Sequence, residues 1–122
     1  MIISKILVVD DDRTMLRLYK LLLKGMGDYS VEFFINGKDV VENYRNHSEK
    51  PKVIIMDYRM PVMNGLDAMK EILEIDRNTK IIFASADTAM KEISISKGAT
   101  AFLSKPFKIE ELICLINKAI KE

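Results

Sequence analysis

The chain has 122 residues, with 19 Lys+Arg against 18 Asp+Glu for a formal net charge of +1, and 48% of its residues are apolar. That length suits one domain with a self-sufficient core and is too short for two. The near-neutral balance argues against a nucleic-acid binder, which needs a clustered surplus of Lys and Arg, and no apolar run approaches the roughly 18 residues of a membrane span. The N-terminal residues lack the basic lead and small-residue cleavage site of a signal peptide, so a cytoplasmic location is expected. The single cysteine, Cys114, cannot form an internal disulfide; lying among Ile113, Leu115 and Ile116, it reads as a buried, inert thiol.

In chain order, runs rich in Val, Ile, Leu and Phe occur at Lys5 to Val9, Ser30 to Phe34, Val53 to Met56, Lys80 to Ala84 and Thr100 to Leu103. Most are continuously apolar, as parallel strands covered on both faces are. Between the first two, Met15, Leu18, Tyr19, Leu22 and Met26 recur at helical spacing, and Gly25 and Gly27 read as that helix's end. Asp39 to Tyr44 offers Val40, Val41 and Tyr44; the segment after Gly65 offers Leu66, Met69, Ile72 and Leu73. Thr88 to Lys97 is weaker, with Met90, Ile93 and Ile95 beside two serines, and predicts a marginal, movable helix. Ile109, Leu112, Ile113, Ile116 and Ile120 predict a strong last one. Alternating strand and helix with short connections gives an α/β fold of (βα)5 type, a doubly wound open parallel sheet with helices on both faces. Ligands bind such sheets outside the carboxyl ends of the strands.

The polar residues concentrate there. The first strand runs into Asp10, Asp11 and Asp12, the third into Asp57, the fourth into Ser85 and the fifth into Lys105. One Asp after a strand is commonly a helix cap, and Asp12, with Thr14 beyond it, fits that role; four acids from two strands exceed what caps require. Carboxylates about 4 Å apart repel by roughly 4 kcal/mol at an effective dielectric near 20, so the cluster calls for a cation. An all-oxygen set suits Mg²⁺ rather than Zn²⁺. The only histidine, His47, lies in the polar stretch Arg45 to Lys50 and reads as solvated surface.

The pieces Val9-Asp10-Asp11, Met56-Asp57, Met60-Pro61, Asn64-Gly65, Ser85-Ala86 and Lys105-Pro106-Phe107 follow one another along the whole chain. Their order and spacing resemble the receiver domain of two-component response regulators. The resemblance implies a flavodoxin-like strand order 2-1-3-4-5, one receiver domain over residues 1–122 and no output domain. It implies that Asp57 accepts a phosphoryl group from a sensor histidine kinase or His-phosphotransfer protein. Mg²⁺ would be held by Asp11 directly, by Asp10 largely through water, and by Asp57 and the backbone carbonyl of Arg59. Lys105 would pair with the phosphoryl oxygens. Ser85 would turn toward the phosphoryl group and Phe102 inward behind it, changing the surface read by a downstream target. The Lys105-Pro106 bond would be cis. Such a protein is no enzyme beyond Mg²⁺-dependent self-phosphorylation and autodephosphorylation, and is expected to be a monomer without direct contact to nucleic acid or membrane. A chemotaxis-type regulator is favoured over a phosphorelay intermediate by the residues around Ser85, Ala86 and Phe102.

Three positions depart from the commonest pattern. Asp12 adds a third acid beside the pair, and Arg59 and Asp87, each two residues past a site residue, are placed to pair across the pocket mouth and slow loss of the phosphoryl group. Two other readings compete. Asp10, Asp12 and Thr14 spell the D-x-D-x-T signature of haloacid-dehalogenase-like phosphatases, with Ser85 and Lys105 as further motifs, but a later acidic pair is missing and Asp57 is left without a task. A receiver-like interaction module without phosphoryl chemistry fits poorly with a complete set of acids, hydroxyl and lysine. A nucleotide-binding reading of Gly25-x-Gly27 fails because Ser30 stands where the next glycine is needed and a helix, not a strand, precedes it.

Overall fold

A computed structural model describes residues 4–25, 27 and 29–121. Its elements are β1 (Ser4–Val9), α1 (Arg13–Lys24), β2 (Tyr29–Phe34), α2 (Gly37–Asn46), β3 (Val53–Asp57), α3 (Gly65–Ile75), β4 (Ile81–Ser85), α4 (Met90–Ser96), β5 (Ala101–Ser104) and α5 (Ile109–Lys121). The strands form one sheet in the order β2-β1-β3-β4-β5, and every pairing is parallel. The predicted (βα)5 fold and its strand order are both realised.

The central strands β1, β3 and β4 bury alternate residues into opposite layers. Leu7, Val9, Ile54, Met56, Ile81 and Phe83 pack with Val40, Val41 and Tyr44 of α2, Ala68, Met69 and Ile72 of α3, and Met90 of α4. Ile6, Val8, Val53, Ile55, Ile82, Ala84 and Leu103 pack with Tyr19 and Leu23 of α1 and Leu112, Ile116 and Ala119 of α5. Because both layers are apolar, the two-residue period of each central strand is hidden in a continuous apolar run. Full burial of each such large side chain is worth about 1.5–3 kcal/mol.

Two local readings are corrected. In α1 the buried residues are Tyr19 and Leu23, whereas Leu18 is 40% exposed. Met15-Leu16 and Leu21-Leu22-Leu23 make this helix apolar on more than one face, so spacing alone permits two phases, and the sheet selects the Tyr19/Leu23 one. Met26, read as part of that stripe, lies outside the described residues. Cys114 is exposed, not buried. It stands about 200° around α5 from Leu112, on the face turned away from the sheet.

The helix ends follow local chemistry. Asp12 caps α1 by accepting the Thr14 N–H. Asn36 and Asn64 cap α2 and α3, accepting the Asp39 and Asp67 N–H groups, so an Asn-Gly pair opens each of these helices. Gly25 is the C-cap of α1, and Gly27 follows at φ 91°, the left-handed region glycine tolerates. The segment read as a marginal helix forms α4, seven residues long with no side-chain cap on its first turn from Ala89.

Candidate active site

The chain runs from β1 outward to β2 and then crosses back to β3, so the loops leaving β1 and β3 diverge and open a crevice above the sheet. Asp10 follows the last residue of β1, Asp57 and Ser85 are the last residues of β3 and β4, and Lys105 follows the last residue of β5. Asp10, Asp57, Ser85 and Lys105 are thus gathered at one rim by sheet register alone.

Asp10 is the most deeply placed, 1% exposed. Its amide donates to the Phe34 carbonyl at 3.0 Å, and its Oδ1 accepts the Asp12 N–H at 2.9 Å. Lys105 Nζ donates to Asp10 Oδ2 at 2.7 Å and to Asp57 Oδ1 at 2.9 Å. One carboxylate oxygen from each of Asp10, Asp11 and Asp57 lies within 4.8 Å of the others. Asp12 is outside this cluster and serves as the cap of α1. The converging acids are therefore three rather than four, and the fourth is accounted for by a backbone N–H.

Three carboxylates and one ammonium leave negative charge uncompensated in a partly desolvated place. Burial pushes the Asp57 carboxyl above the usual carboxylate range; Asp10 adds to this, and Lys105 offsets only part of it. Burial acts to lower the Lys105 pKa, but hydrogen bonds and charge from Asp10 and Asp57 outweigh it and hold the ammonium above its ordinary value. The Asp57 shift is thus chiefly a burial effect, whereas the Lys105 shift comes from its two carboxylate partners. The oxygen-only donor set fits a hard divalent cation such as Mg²⁺. His47 is remote and exposed, its Nδ1 2.9 Å from the Asn43 carbonyl oxygen.

The cavity over this cluster, about 380 Å³, is lined by Asp57, Arg59, Ser85, Ala86, Asp87 and Lys105. Ser85 is buried, and its Oγ accepts the Asp87 N–H at 3.0 Å. Asp87 Oδ1 accepts the Ala89 N–H at 3.0 Å, while Oδ2 lies 3.8 Å from Arg59 Nη2. The expected pairing of Arg59 with Asp87 across the pocket mouth is present as geometry. Phe102 is half-buried against the core cluster containing Phe83, Met90 and Ala99. The Lys105-Pro106 bond is cis.

Gly37 was not among the predicted site residues. Its amide donates to the Met63 carbonyl at 3.0 Å, and a Cβ there would lie 2.6 Å from that oxygen. It thereby pins the loop between Asp57 and Gly65 from the side of α2. The repeated Asn-Gly pair, at 36–37 and 64–65, was the signal in the sequence.

The family model of the response regulator receiver domain matches residues 6–117. The chain belongs to that family. Receiver domains are the phosphorylatable switches of two-component systems, signalling proteins rather than enzymes in the usual sense. This receiver is 39% identical to the chemotaxis protein CheY of Thermotoga maritima over 120 residues, covering 97% of this chain and 98% of that one. It is 38% identical to CheY of Bacillus subtilis over 118 residues, covering 95% and 97%. Among solved structures, a receiver domain protein from Clostridium thermocellum superposes with a TM-score of 0.88 at 29% identity, covering 97% of this chain and 94% of that one. The receiver domain of the sensor histidine kinase PA1611 from Pseudomonas aeruginosa, solved with a magnesium ion coordinated in its active-site cleft, gives 0.87 at 28% identity and 98% coverage of both chains.

Proposed function

We propose that Asp57 is the phosphoryl acceptor of a CheY-type receiver acting as a single domain, and that Asp10, Asp11, Asp57 and the backbone carbonyl of Arg59 hold Mg²⁺. The observation that carries this reading is the position of Lys105 Nζ, within hydrogen-bonding distance of both Asp10 and Asp57. When bound, Mg²⁺ neutralises charge on the transferred oxygens. A carboxylate oxygen of Asp57 forms the new bond to phosphorus as the bond from phosphorus to the donor nitrogen breaks. Lys105 stays protonated and offers its ammonium to the phosphoryl oxygens.

Ser85 is poised for the second part of the switch. Its Oγ already accepts one N–H, from Asp87, so its own proton is available to a phosphoryl oxygen arriving above Asp57. Moving Ser85 would release Asp87 and the start of α4, and Phe102 would turn further into the space behind. This is a two-state element biased by new charge at Asp57. Arg59 and Asp87 act as modulators that restrict water at the mouth, while Asp12 contributes through the helix cap.

The partners are a sensor histidine kinase or His-phosphotransfer protein upstream and a target protein downstream; the near full-length likeness to CheY supports a chemotaxis-type target over a phosphorelay. We read the domain as a cytoplasmic monomer that self-phosphorylates and autodephosphorylates with Mg²⁺. Among the described residues no helix is long and apolar enough to cross a membrane. Incubating wild type and Asp57→Ala with a small-molecule phosphodonor and Mg²⁺ tests the reading: a mass increase of one phosphoryl group should appear only in the wild type. Equal labelling of both would refute it.

A further inference from the structure

Lys105 must reach two carboxylates at once, yet it stands in an irregular segment between β5 and α5. Its amide donates to the Ser85 carbonyl at 3.0 Å. Pro106, next in line, has no N–H to donate. The next anchor is the Phe107 side chain, which is half-buried and packed against the cluster that contains Tyr19, Leu103 and Leu112. Its ring lies on that of Tyr19, centroids 5.6 Å apart and planes at 30°. Tyr19 is itself 1% exposed, so its ring is a fixed surface rather than a mobile one.

Tyr19 sits two turns into α1, the helix whose cap, Asp12, directly follows the acid pair. One rigid side chain thus links the loop that carries Asp10 and Asp11 to the loop that carries Lys105. Aromatic pairs of this kind hold one another beyond what their burial supplies, enough to bias the conformation of a short loop.

Building on the phosphoryl-acceptor reading of Asp57, we propose that Tyr19 is a positioning residue that, through Phe107, holds the Lys105 ammonium in place for the phosphoryl group. Tyr19 touches neither phosphoryl group nor metal in this account and acts only through Lys105. Its effect should therefore vanish when Lys105 has no charge to position.

Beryllofluoride with Mg²⁺, titrated by amide NMR, is the probe. Tyr19→Leu should weaken beryllofluoride binding about tenfold, equivalent to about 1.4 kcal/mol of coupling. Tyr19→Phe, which keeps the ring, should stay within about twofold of wild type. In a Lys105→Met background Tyr19→Leu should add less than about twofold, and Mg²⁺ affinity alone should not change in the Lys105-containing variant. Phe107→Leu opens the same contact from the other side and serves if Tyr19→Leu does not fold; it should give the same pattern. Equal penalties with and without Lys105, or a parallel loss of Mg²⁺ affinity, would show a general packing role and overturn the clamp. Failure of the wild type to bind beryllofluoride would overturn the Asp57 reading and this inference with it, whereas binding with additive penalties would overturn the clamp alone.

Discussion

Gly65 packs so closely on Asp57 that a Cβ at residue 65 would lie 1.8 Å from the Asp57 carbonyl oxygen. The Gly65 amide donates to the Tyr58 carbonyl at 2.8 Å, closing the loop back onto the end of β3. The missing side chain is therefore a condition of Asp57's position, and no rotamer can relieve a clash with backbone.

Gly65→Ala should accordingly cost about 3 kcal/mol, the upper end for overpacking, and reduce phosphorylation by displacing Asp57. Gly25→Ala is the contrast: nothing lies within 4 Å of a Cβ there, and φ is −83°. That variant should be neutral or up to about 1 kcal/mol more stable, since alanine restricts only the unfolded chain. Urea unfolding of the two variants checks both, and similar midpoints would contradict the packing argument.

Asp57→Asn should stabilise the metal-free protein at neutral pH. A carboxyl whose pKa is higher folded than unfolded binds its proton more tightly in the folded state, and burial raises that of Asp57 above its ordinary 3.8. Its ionisation then costs stability: the cost is absent below the ordinary carboxyl range, grows as pH rises through it, and is complete above the folded value. Thermal unfolding in EDTA should show a higher midpoint for Asp57→Asn at pH 7 and a shrinking gap as the solution is acidified. A lower midpoint at pH 7 would mean that the bond to Lys105 outweighs burial.

Arg59→Ala should hasten loss of the phosphoryl group, but modestly. The Arg59 side chain is 82% exposed and 3.8 Å from Asp87, and exposed ion pairs are worth about 0.2–1 kcal/mol, which caps the acceleration at about fivefold. High salt should speed wild-type decay and leave the variant unchanged. Unchanged or slower decay in Arg59→Ala would remove the gating role.

The layered fold was legible because a parallel sheet buried on both faces leaves uninterrupted apolar runs such as Leu7 to Val9 and Ile54 to Met56. The site was legible because polar residues directly ending those runs must share one rim. What escaped depended on rotation or on backbone approach. Leu18 and Leu23 compete for the buried face of α1, and only contact with the sheet decides between them. Cys114 has apolar neighbours in sequence but points away from the sheet on α5. Asp12 did not escape: Thr14 beyond it marked a helix cap, and its carboxylate accepts the Thr14 N–H. Gly37 touches Met63 across the fold, and the repeated Asn-Gly pair marks the glycine but not the contact it makes.

The central claim is that Asp57, and not its buried neighbour Asp10, carries the phosphoryl group. Its most direct test is to phosphorylate the wild-type protein with a small-molecule donor and Mg²⁺, trap the acyl phosphate by borohydride reduction, and locate the modified residue by peptide mass spectrometry. Modification confined to residue 57 is the predicted result. Modification at residue 10 would contradict the account and favour the phosphatase-like use of the first acidic loop.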